Sequence, residues 1–288
     1  NKAFQYFQQA ADAGHAGAEY CLGVIYENGY CGVELNMEEA CQRYRIAAKY
    51  GDILGIISYG RFLEEGLGGC DVDEKAAFQL YLQAEEMGNE EAQAEVGNCY
   101  WRGVGVKKNI KKAEKYMKLA VQSGKSEWFV LLGDFYKDAS RYKDAVECYK
   151  NALEGGCAKG AFKLGLLYTH YEEIGIDYDK SQSYFQQAMD MSDDNDFIAD
   201  CLNEMAYTKY YSGDFDGALE PVELAIELNP IDHYFDSKGE FLMRMGRREE
   251  ALEMYNKVLE LNPNFFNEVD SDLYKLLFPE KNSHPKGK

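Results

Sequence analysis

Two glycines and six lysines stand close together in the stretch "YWRGVGVKKNIKKAEKYMKLAVQSG", which runs from residue 100 to residue 124. Gly103 and Gly105 could form a loop whose backbone N–H groups hold a phosphate, with the lysines neutralising its charge. The spacing differs from the G-x-x-x-x-G-K-[ST] pattern of nucleotide-binding loops, and no strand pattern precedes it. Whether this loop does chemistry therefore depends on the elements around it.

Other residues that could do chemistry are few and scattered. None of the four histidines pairs with Cys, Ser or Asp in a local nucleophile motif. The stretch "DDNDFIAD" (193–200) faintly resembles the start of a calcium loop, but Ala199 stands where the sharp turn needs glycine, so helix-start carboxylates are favoured. The sequence predicts no catalytic residue, no cofactor and no metal site. A hydrolase with a site on its loops is the rival class, and no motif supports it.

The composition favours a folded, acidic protein. The 288 residues are 46% apolar and carry a formal net charge of −19. Residues 128–288 hold 31 acidic and 17 basic side chains, and an acidic surface repels phosphates, so neither nucleic acid nor an anionic membrane is expected as a partner. The basic run over 102–118 is a local exception, which forms either a solvated helix face or a dock for an acidic partner. No apolar run is long enough to predict a membrane span.

The eight cysteines contain no C-x-x-C pair, which argues against a zinc site. We expect reduced and mostly buried thiols. Cys31 and Cys70 are the best candidates for an exception, since both lie in adjacent loops. A cytoplasmic location is expected, whereas a periplasmic or secreted one would follow if a signal segment precedes Asn1.

The chain is built from internal repeats, each with two apolar patterns at helical spacing. A small residue marks the first helix (A) and another marks the second helix (B), because small side chains let two helices approach closely. The A markers are Gly23, Gly60, Gly97, Gly133, Gly165, Ala206 and Gly239, and the B markers are Ala47, Ala84, Ala120, Ala152, Ala188, Ala225 and Val258.

The repeat also explains the glycine loop. The counterparts of "RGVGVKKN" are "NGYCGVELN" and "EGLGGCDVD", which keep glycines but carry carboxylates in place of lysines. A phosphate-binding loop would not be expected to make that exchange. The loop is therefore predicted to be a hinge between antiparallel helices, with glycine supplying positive φ.

The spacing of the markers carries the resemblance to known families. Repeats with 19 residues between markers resemble the tetratricopeptide repeat (TPR), and those with 23 or 24 resemble the Sel-one-like repeat (SLR). "RGVGVKKNIKKAEKYMKLA" is similar to an SLR loop and helix B, and "RMGRREEALEMYNKVLELNP" (244–263) to a TPR helix B. The resemblance implies an all-α, right-handed α-solenoid of antiparallel helix pairs with about 16 helices. Pro221 falls inside the predicted helix B of the sixth repeat and is expected to kink it.

The predicted organisation follows the order of the repeats, with a joint or bend expected at "DMSDDNDFIAD" (190–200). Its segments are helix B of an incomplete repeat (1–17), three SLRs (18–127), a TPR-like repeat (128–160), an SLR-like repeat (161–196), two TPRs (197–263), a capping helix (264–278) and a disordered tail (279–288).

The family resemblance also implies where a partner would bind. Many TPR proteins hold a peptide in the groove lined by their A helices. Carried over onto this chain, the groove positions include residues that can pair with charges or offer an aromatic face, and packing against the next repeat is the alternative for each aromatic. These candidates are Arg61, Asn98, Trp101, Lys137, Phe162, Tyr207, Tyr210 and Met243.

These observations predict a non-enzymatic scaffold or adaptor that binds a protein or peptide through the groove. The basic candidates are scattered among acidic residues, so a clamp for a C-terminal carboxylate is not expected. Self-assembly through the N-terminal edge, where helix B lacks its helix A, is one alternative. A regulatory domain of a larger chain with repeats upstream is the other.

Overall fold

The computed structural model describes residues 2–265, which contain fifteen α-helices and no strand. The chain divides into two compact units, unit 1 over residues 1–140 and unit 2 over residues 141–288. The prediction of an all-α fold of helix pairs is confirmed. Apart from Asn264 and Phe265, the predicted capping helix (264–278) and tail (279–288) lie outside the described residues.

Unit 1 is a stack in which each helix packs against the next along the chain. Its helices are α1 (Lys2–Asp12), α2 (Ala16–Asn28), α3 (Met37–Lys49), α4 (Ile53–Glu65), α5 (Glu74–Glu86), α6 (Glu90–Arg102), α7 (Ile110–Ala120) and α8 (Ser126–Asp138), with 3₁₀ turns at Tyr30–Gly32 and Val121–Ser123.

Unit 2 follows the same plan. Its helices are α9 (Tyr142–Glu154), α10 (Ala158–His170), α11 (Tyr178–Asp190), α12 (Asn195–Ser212), α13 (Leu219–Leu228), α14 (Asp232–Arg244) and α15 (Arg248–Leu261), with a 3₁₀ turn at Glu172–Ile174. The segment expected to be a joint, 190–200, connects two helices of this unit, α11 and α12, which pack together. The division between the units instead falls between Ser140 and Arg141.

The A–B loops close in one recurring way. The N–H of the residue that caps helix B donates to a carbonyl in the last turn of helix A, as in Asp73 to Leu63 (2.8 Å) and Asn109 to Tyr100 (2.8 Å). The cap's own side chain accepts an N–H from the first turn of helix B, which stabilises the helix start by about 1 kcal/mol. The loop at Gly103 thus has the hinge geometry of its counterparts, with φ of 85° at that glycine.

Several of the glycine A markers lie under aromatic rings of helix B. A Cβ at Gly60 would stand 2.7 Å from the buried ring of Tyr81, and one at Gly165 would stand 2.7 Å from the ring of Phe185. A methyl group cannot enter at that distance without moving a close-packed side chain. The marker glycines therefore set how closely the two helices of a repeat approach.

The structure corrects the expectation for Pro221. Helix α13 begins only at Leu219, so Pro221 lies in its first turn. Backbone N–H groups of the first turn have no acceptor inside the helix, and proline is tolerated there. Asp214 to Ala218 form a turn instead of the start of helix B, with the Gly217 N–H donating to Asp214 (3.0 Å). The proline therefore shortens helix B and does not kink it.

The structure also corrects the expectation for the cysteines. Cys70 is joined in a disulfide to Cys41 of α3, and not to Cys31. The bond connects helix B of the first complete repeat to the A–B loop of the next. The loop reaches α3 because Gly68 packs against the backbone of Met37. Cys99 and Cys201 are buried thiols, as expected.

Candidate partner-binding surface

Charged side chains on the A helices of unit 1 neutralise one another in a repeated arrangement. Glu27 of α2 accepts hydrogen bonds from the Tyr44 hydroxyl (2.6 Å) and from Arg61 of α4 (2.6 Å). Glu64 of α4 likewise accepts from the Tyr81 hydroxyl (3.1 Å) and Arg102 of α6 (3.3 Å). Burial and these carboxylates raise the pKa of both tyrosines.

The two basic groove candidates of unit 1 each lie beside a carboxylate. Arg61 is paired with Glu27 and stacks on Phe62, with its guanidinium 5.1 Å from the ring centroid. Lys137 of α8 lies 3.6 Å from the carboxylate of the adjacent Asp138. Both cations already have a carboxylate partner within the chain.

At the third repeat the charged arrangement gives way to an aromatic one. Trp101 takes the place that Glu27 and Glu64 hold in α2 and α4, and its half-buried ring meets Phe135 edge to face at 6.0 Å. On the same helix, burial and the carboxylate of Glu64 raise the pKa of Glu95 to about 7, although a hydrogen bond with Asn98 lowers it. Trp101 and Asn98 are thus placed on the same helix, α6, as predicted from their spacing.

Unit 2 brings several aromatic rings together between α12 and α14. Tyr207 and Tyr210 each lie 5.0 Å from the ring of the buried Phe241, and Tyr210 lies 5.4 Å from Phe215. Tyr211 stacks on Tyr207 at 5.9 Å. We call Tyr207, Tyr210, Tyr211 and Phe215, with the buried Phe241, the tyrosine surface.

Tyr211 and Phe215 were not among the groove residues predicted from the sequence. Tyr211 is the most exposed ring of the group, with 47% of its surface accessible. It stands five residues after the A marker Ala206, whereas every predicted groove residue stands three before, one after or four after its own marker. The doublet of Tyr210 and Tyr211 was the signal that could have found it. Phe215 lies in the turn that replaces the start of helix B, so its position depended on Pro221.

The other aromatic and apolar candidates of unit 2 are packed inside the fold. Phe162 lies between Phe185 and Phe197, with ring centroids 5.6 Å away on both sides. Met243 packs against the buried cluster that contains Leu242 and Tyr255. For Phe162, the contact with Phe197 of α12 is the packing alternative that the sequence analysis gave for each aromatic candidate.

Acidic groups surround the tyrosine surface. The Tyr207 hydroxyl donates to Glu240 at 3.1 Å, and burial together with Glu240 and Asp236 raises the pKa of Tyr207. Burial and the carboxylate of Asp200 raise the pKa of Glu204 to about 7, and burial and Glu240 raise that of Asp236 to about 6. Burial is the larger cause of these shifts, and the neighbouring carboxylates add to it.

One buried amide oxygen in this region has no hydrogen-bond donor among the described residues. Asn203 of α12 is 1% exposed, and its Oδ1 accepts no hydrogen bond within the part of the chain that the structure describes. Its Nδ2 lies 3.4 Å from Nε2 of His233 in α14. Buried amide oxygens normally have a donor, so this oxygen is an exception among the described residues.

The lysines of the 102–118 run lie mostly on the surface of α7 and the loop before it. Lys118 pairs with Glu114 (2.8 Å), and the Lys112 ammonium contacts the Tyr100 hydroxyl (3.2 Å). Lys107, Lys108 and the rest of the run that the sequence contains are exposed. This placement agrees with a solvated helix face.

Residues 2–265 offer neither a metal site nor a membrane-spanning helix. No group of three or more His, Cys, Asp or Glu side chains there could hold a metal ion. The "DDNDFIAD" stretch begins α12, with Asp194 accepting the N–H of Asp196 at 3.0 Å as a helix cap. No helix in this part of the chain is both long and apolar enough to cross a membrane.

Two curated proteins are similar in sequence to parts of this chain. DAP3-binding cell death enhancer 1 of Mus musculus is 32% identical over 58% of this chain and 33% of its own length. The TPR repeat-containing protein MJ1428 of Methanocaldococcus jannaschii is 24% identical over 52% of this chain and 35% of its own. The chain thus spans about a third of the length of these curated relatives.

Solved structures confirm the solenoid class. The Sel1 repeat protein from Oxalobacter formigenes has a TM-score of 0.55 and 29% identity, covering 66% of this chain and 79% of its own. The Escherichia coli antigen c5321, described as displaying an SLR fold, has a TM-score of 0.62 and 18% identity, covering 92% and 60%.

Two family models match stretches of the chain. The tetratricopeptide repeat model matches residues 129–154 and 233–265. The Sel1 repeat model matches residues 1–15, 16–52, 54–89, 90–125 and 158–193, which is more than half of the chain. The resemblance to SLR and TPR proteins is confirmed, and the chain belongs to the Sel1 repeat family.

Proposed function

We propose that this chain is a scaffold or adaptor that binds a protein or peptide partner through side chains of its A helices, without catalysing a reaction. Sel1 and TPR folds typically serve as non-catalytic binding scaffolds, which supports the proposal at the level of the family. Two relatives are named for binding or regulation. They are DAP3-binding cell death enhancer 1 and chitin synthase regulatory factor 4, which are 32% and 29% identical to this chain over the aligned residues.

The observation that carries the proposal is the tyrosine surface of unit 2. Tyrosine rings that are partly exposed and held by neighbouring rings lose little conformational entropy when a partner covers them, so they make good anchors. Tyr211 combines 47% exposure with contacts to Tyr207 and Tyr210. In unit 1, half-buried Trp101 is held in a similar way by Phe135.

Affinity capture from a lysate of the source organism, quantified by mass spectrometry, tests the proposal. We expect a Trp101→Ala, Tyr211→Ala variant to lose about tenfold or more of the partner that the wild type captures, because truncating an aromatic anchor typically costs more than 1 kcal/mol. Tyr207 and Tyr210 are left intact because they pack on Phe241, and their truncation would disturb the fold.

The matched control removes exposed apolar side chains elsewhere. Met87 and Leu228 are 48% and 40% exposed and end helices of type B. A Met87→Ala, Leu228→Ala variant should capture as much partner as the wild type, and circular dichroism should show all three proteins folded. Equal loss in both variants, or loss in neither, would contradict binding through the A helices.

Self-association through α1 is the second candidate. Tyr6 on this helix is 67% exposed, although Phe4 and Phe7 on the same helix pack against α2. Sedimentation velocity distinguishes the two candidates. A size that grows with concentration, and returns to the monomer in a Tyr6→Ser variant, would favour self-association.

A further inference from the structure

We propose that the partner of unit 2 is a basic peptide segment, whose lysine or arginine side chain lies against the tyrosine surface and pairs with the carboxylates beside it. The inference rests on the proposed function and adds the chemical class of the partner. We call Asn203, Glu204, Asp236 and Glu240 the acceptor row, since these residues of α12 and α14 offer hydrogen-bond acceptors next to the tyrosine rings.

The carboxylates of the acceptor row lack cationic partners. None of its three carboxylates has an ion pair within the described residues, and Glu240 accepts the hydroxyl of Tyr207. The carboxylates lie close enough to the rings to act on them, since Glu240 and Glu204 both add to the effect of burial in raising the pKa of Tyr211. A bound ammonium or guanidinium group would supply the positive charge that is missing.

Asn203 gives an independent indication of the same kind. Its buried Oδ1 has no donor, and it stands one helical turn before Tyr207 on α12 and next to Glu204. An amide oxygen needs an N–H or O–H group, as carboxylates do. Lysine and arginine side chains carry three and five N–H donors, and no acceptor. An acidic or carboxylate-ended partner would supply no cationic donor to these acceptors.

The aromatic rings favour the same partner. A cation over the face of a tyrosine ring is attracted by the π electrons, by about 0.5–1 kcal/mol when exposed and more when desolvated. The surface already contains one such contact, since the Arg244 guanidinium lies 6.0 Å from the ring centroid of Phe215. The more exposed ring of Tyr211 has a further contact with His170 of α10, at 5.4 Å.

The basic groups of unit 2 near this surface do not balance the carboxylates. Lys238 of α14 pairs with Glu223 of α13 at 2.7 Å, so its charge is already used. Burial lowers the pKa of His170, which favours its neutral form. Arg244 and the half-buried Lys209 also contribute positive charge. The carboxylates are more numerous, since Asp200 adds to those of Glu204, Asp236 and Glu240. Asp200 accepts the Tyr234 hydroxyl at 2.6 Å.

Fluorescence anisotropy with the full chain tests the inference. The probe is a labelled synthetic peptide in which arginine alternates with serine, compared with the same peptide carrying glutamate in place of arginine. We expect only the arginine peptide to bind. A Glu204→Gln, Asp236→Asn, Glu240→Gln variant should bind it about tenfold more weakly, because partly buried charge pairs are each worth several tenths of a kcal/mol or more.

A charge-matched control separates specific binding from general attraction to an acidic protein. Glu147, Glu154 and Glu227 are exposed on the B helices α9 and α13. Changing these three to glutamine alters the net charge equally, and should weaken binding by about twofold or less. Equal weakening in both triple variants, or no binding of the arginine peptide, would overturn the inference.

A second variant keeps the test decisive if the triple substitution unfolds the chain. Tyr211→Leu should weaken the arginine peptide about threefold to tenfold, whereas Tyr211→Phe, which keeps the ring, should not. If the glutamate peptide binds instead and Tyr211→Leu weakens it, the inference of a basic partner fails while the proposed binding function stands.

Discussion

Glu204 shows how a single carboxyl on α12 links stability to pH. Burial and Asp200 raise its pKa to about 7 in the folded chain, from the ordinary value of 4.5. The folded state thus holds this proton more tightly than the unfolded state. The contribution to stability is fully present below about pH 4.5 and is lost as the pH rises through about 7, because the charged carboxylate is disfavoured in the fold.

Replacement of Glu204 by glutamine should therefore stabilise the protein, and more so at high pH. We expect the free energy of unfolding of Glu204→Gln, relative to the wild type, to increase by about 1–3 kcal/mol between about pH 5 and about pH 8. Urea unfolding at several pH values measures it. Glu227→Gln, at an exposed position of α13, controls for the loss of one charge. A difference that is constant with pH would contradict the raised pKa.

At the scale of the helices, the contact between a glycine A marker and a large side chain of helix B sets how closely the two helices approach. A Cβ at Gly60 would meet the ring of Tyr81, which also bonds to Glu64 and cannot easily move. We expect Gly60→Ala to lower the free energy of unfolding by about 1–3 kcal/mol, although alanine is the better helix former. Chemical denaturation measures the change.

A second glycine in a helix provides the control for that prediction. Gly17 in α2 is exposed, and a Cβ there would lie 3.5 Å from the nearest atom, an ordinary contact with Asp52. Gly17→Ala should therefore leave stability unchanged or raise it by up to about 1 kcal/mol. If Gly60→Ala were as stable as Gly17→Ala, the marker glycines would not be set by packing.

The helices and their markers could be predicted because periodicity and small residues recur along the chain in a fixed register. Features that depend on one copy departing from the others could not. Pro221 moves the start of α13, which places Phe215 beside Tyr210, and no other repeat has that proline. The pairing of Cys41 with Cys70 depends on how one loop packs on the preceding helix B, which spacing alone does not give.

For the molecule as a whole, the net charge is distributed unequally between the two compact units. Residues 141–288 contain 29 acidic and 16 basic side chains, whereas residues 1–140 contain 21 and 15. Most of the net negative charge thus belongs to unit 2, which also contains the tyrosine surface. Such a field raises the association rate of cationic partners and weakens as salt is added.

The two units should also differ in how they unfold. Repeat proteins gain stability from each repeat and its neighbours, so long arrays can lose cooperativity. Both tryptophans, Trp101 and Trp128, belong to unit 1, so tryptophan fluorescence reports on that unit while circular dichroism reports on every helix. We expect the two probes to give different urea midpoints.

Two substitutions test this expectation. Gly60→Ala should lower the midpoint measured by fluorescence. Gly165→Ala, whose added Cβ would meet the ring of Phe185 in unit 2, should change only part of the circular dichroism signal. Coincident transitions that both substitutions shift equally would show that the chain unfolds as one block.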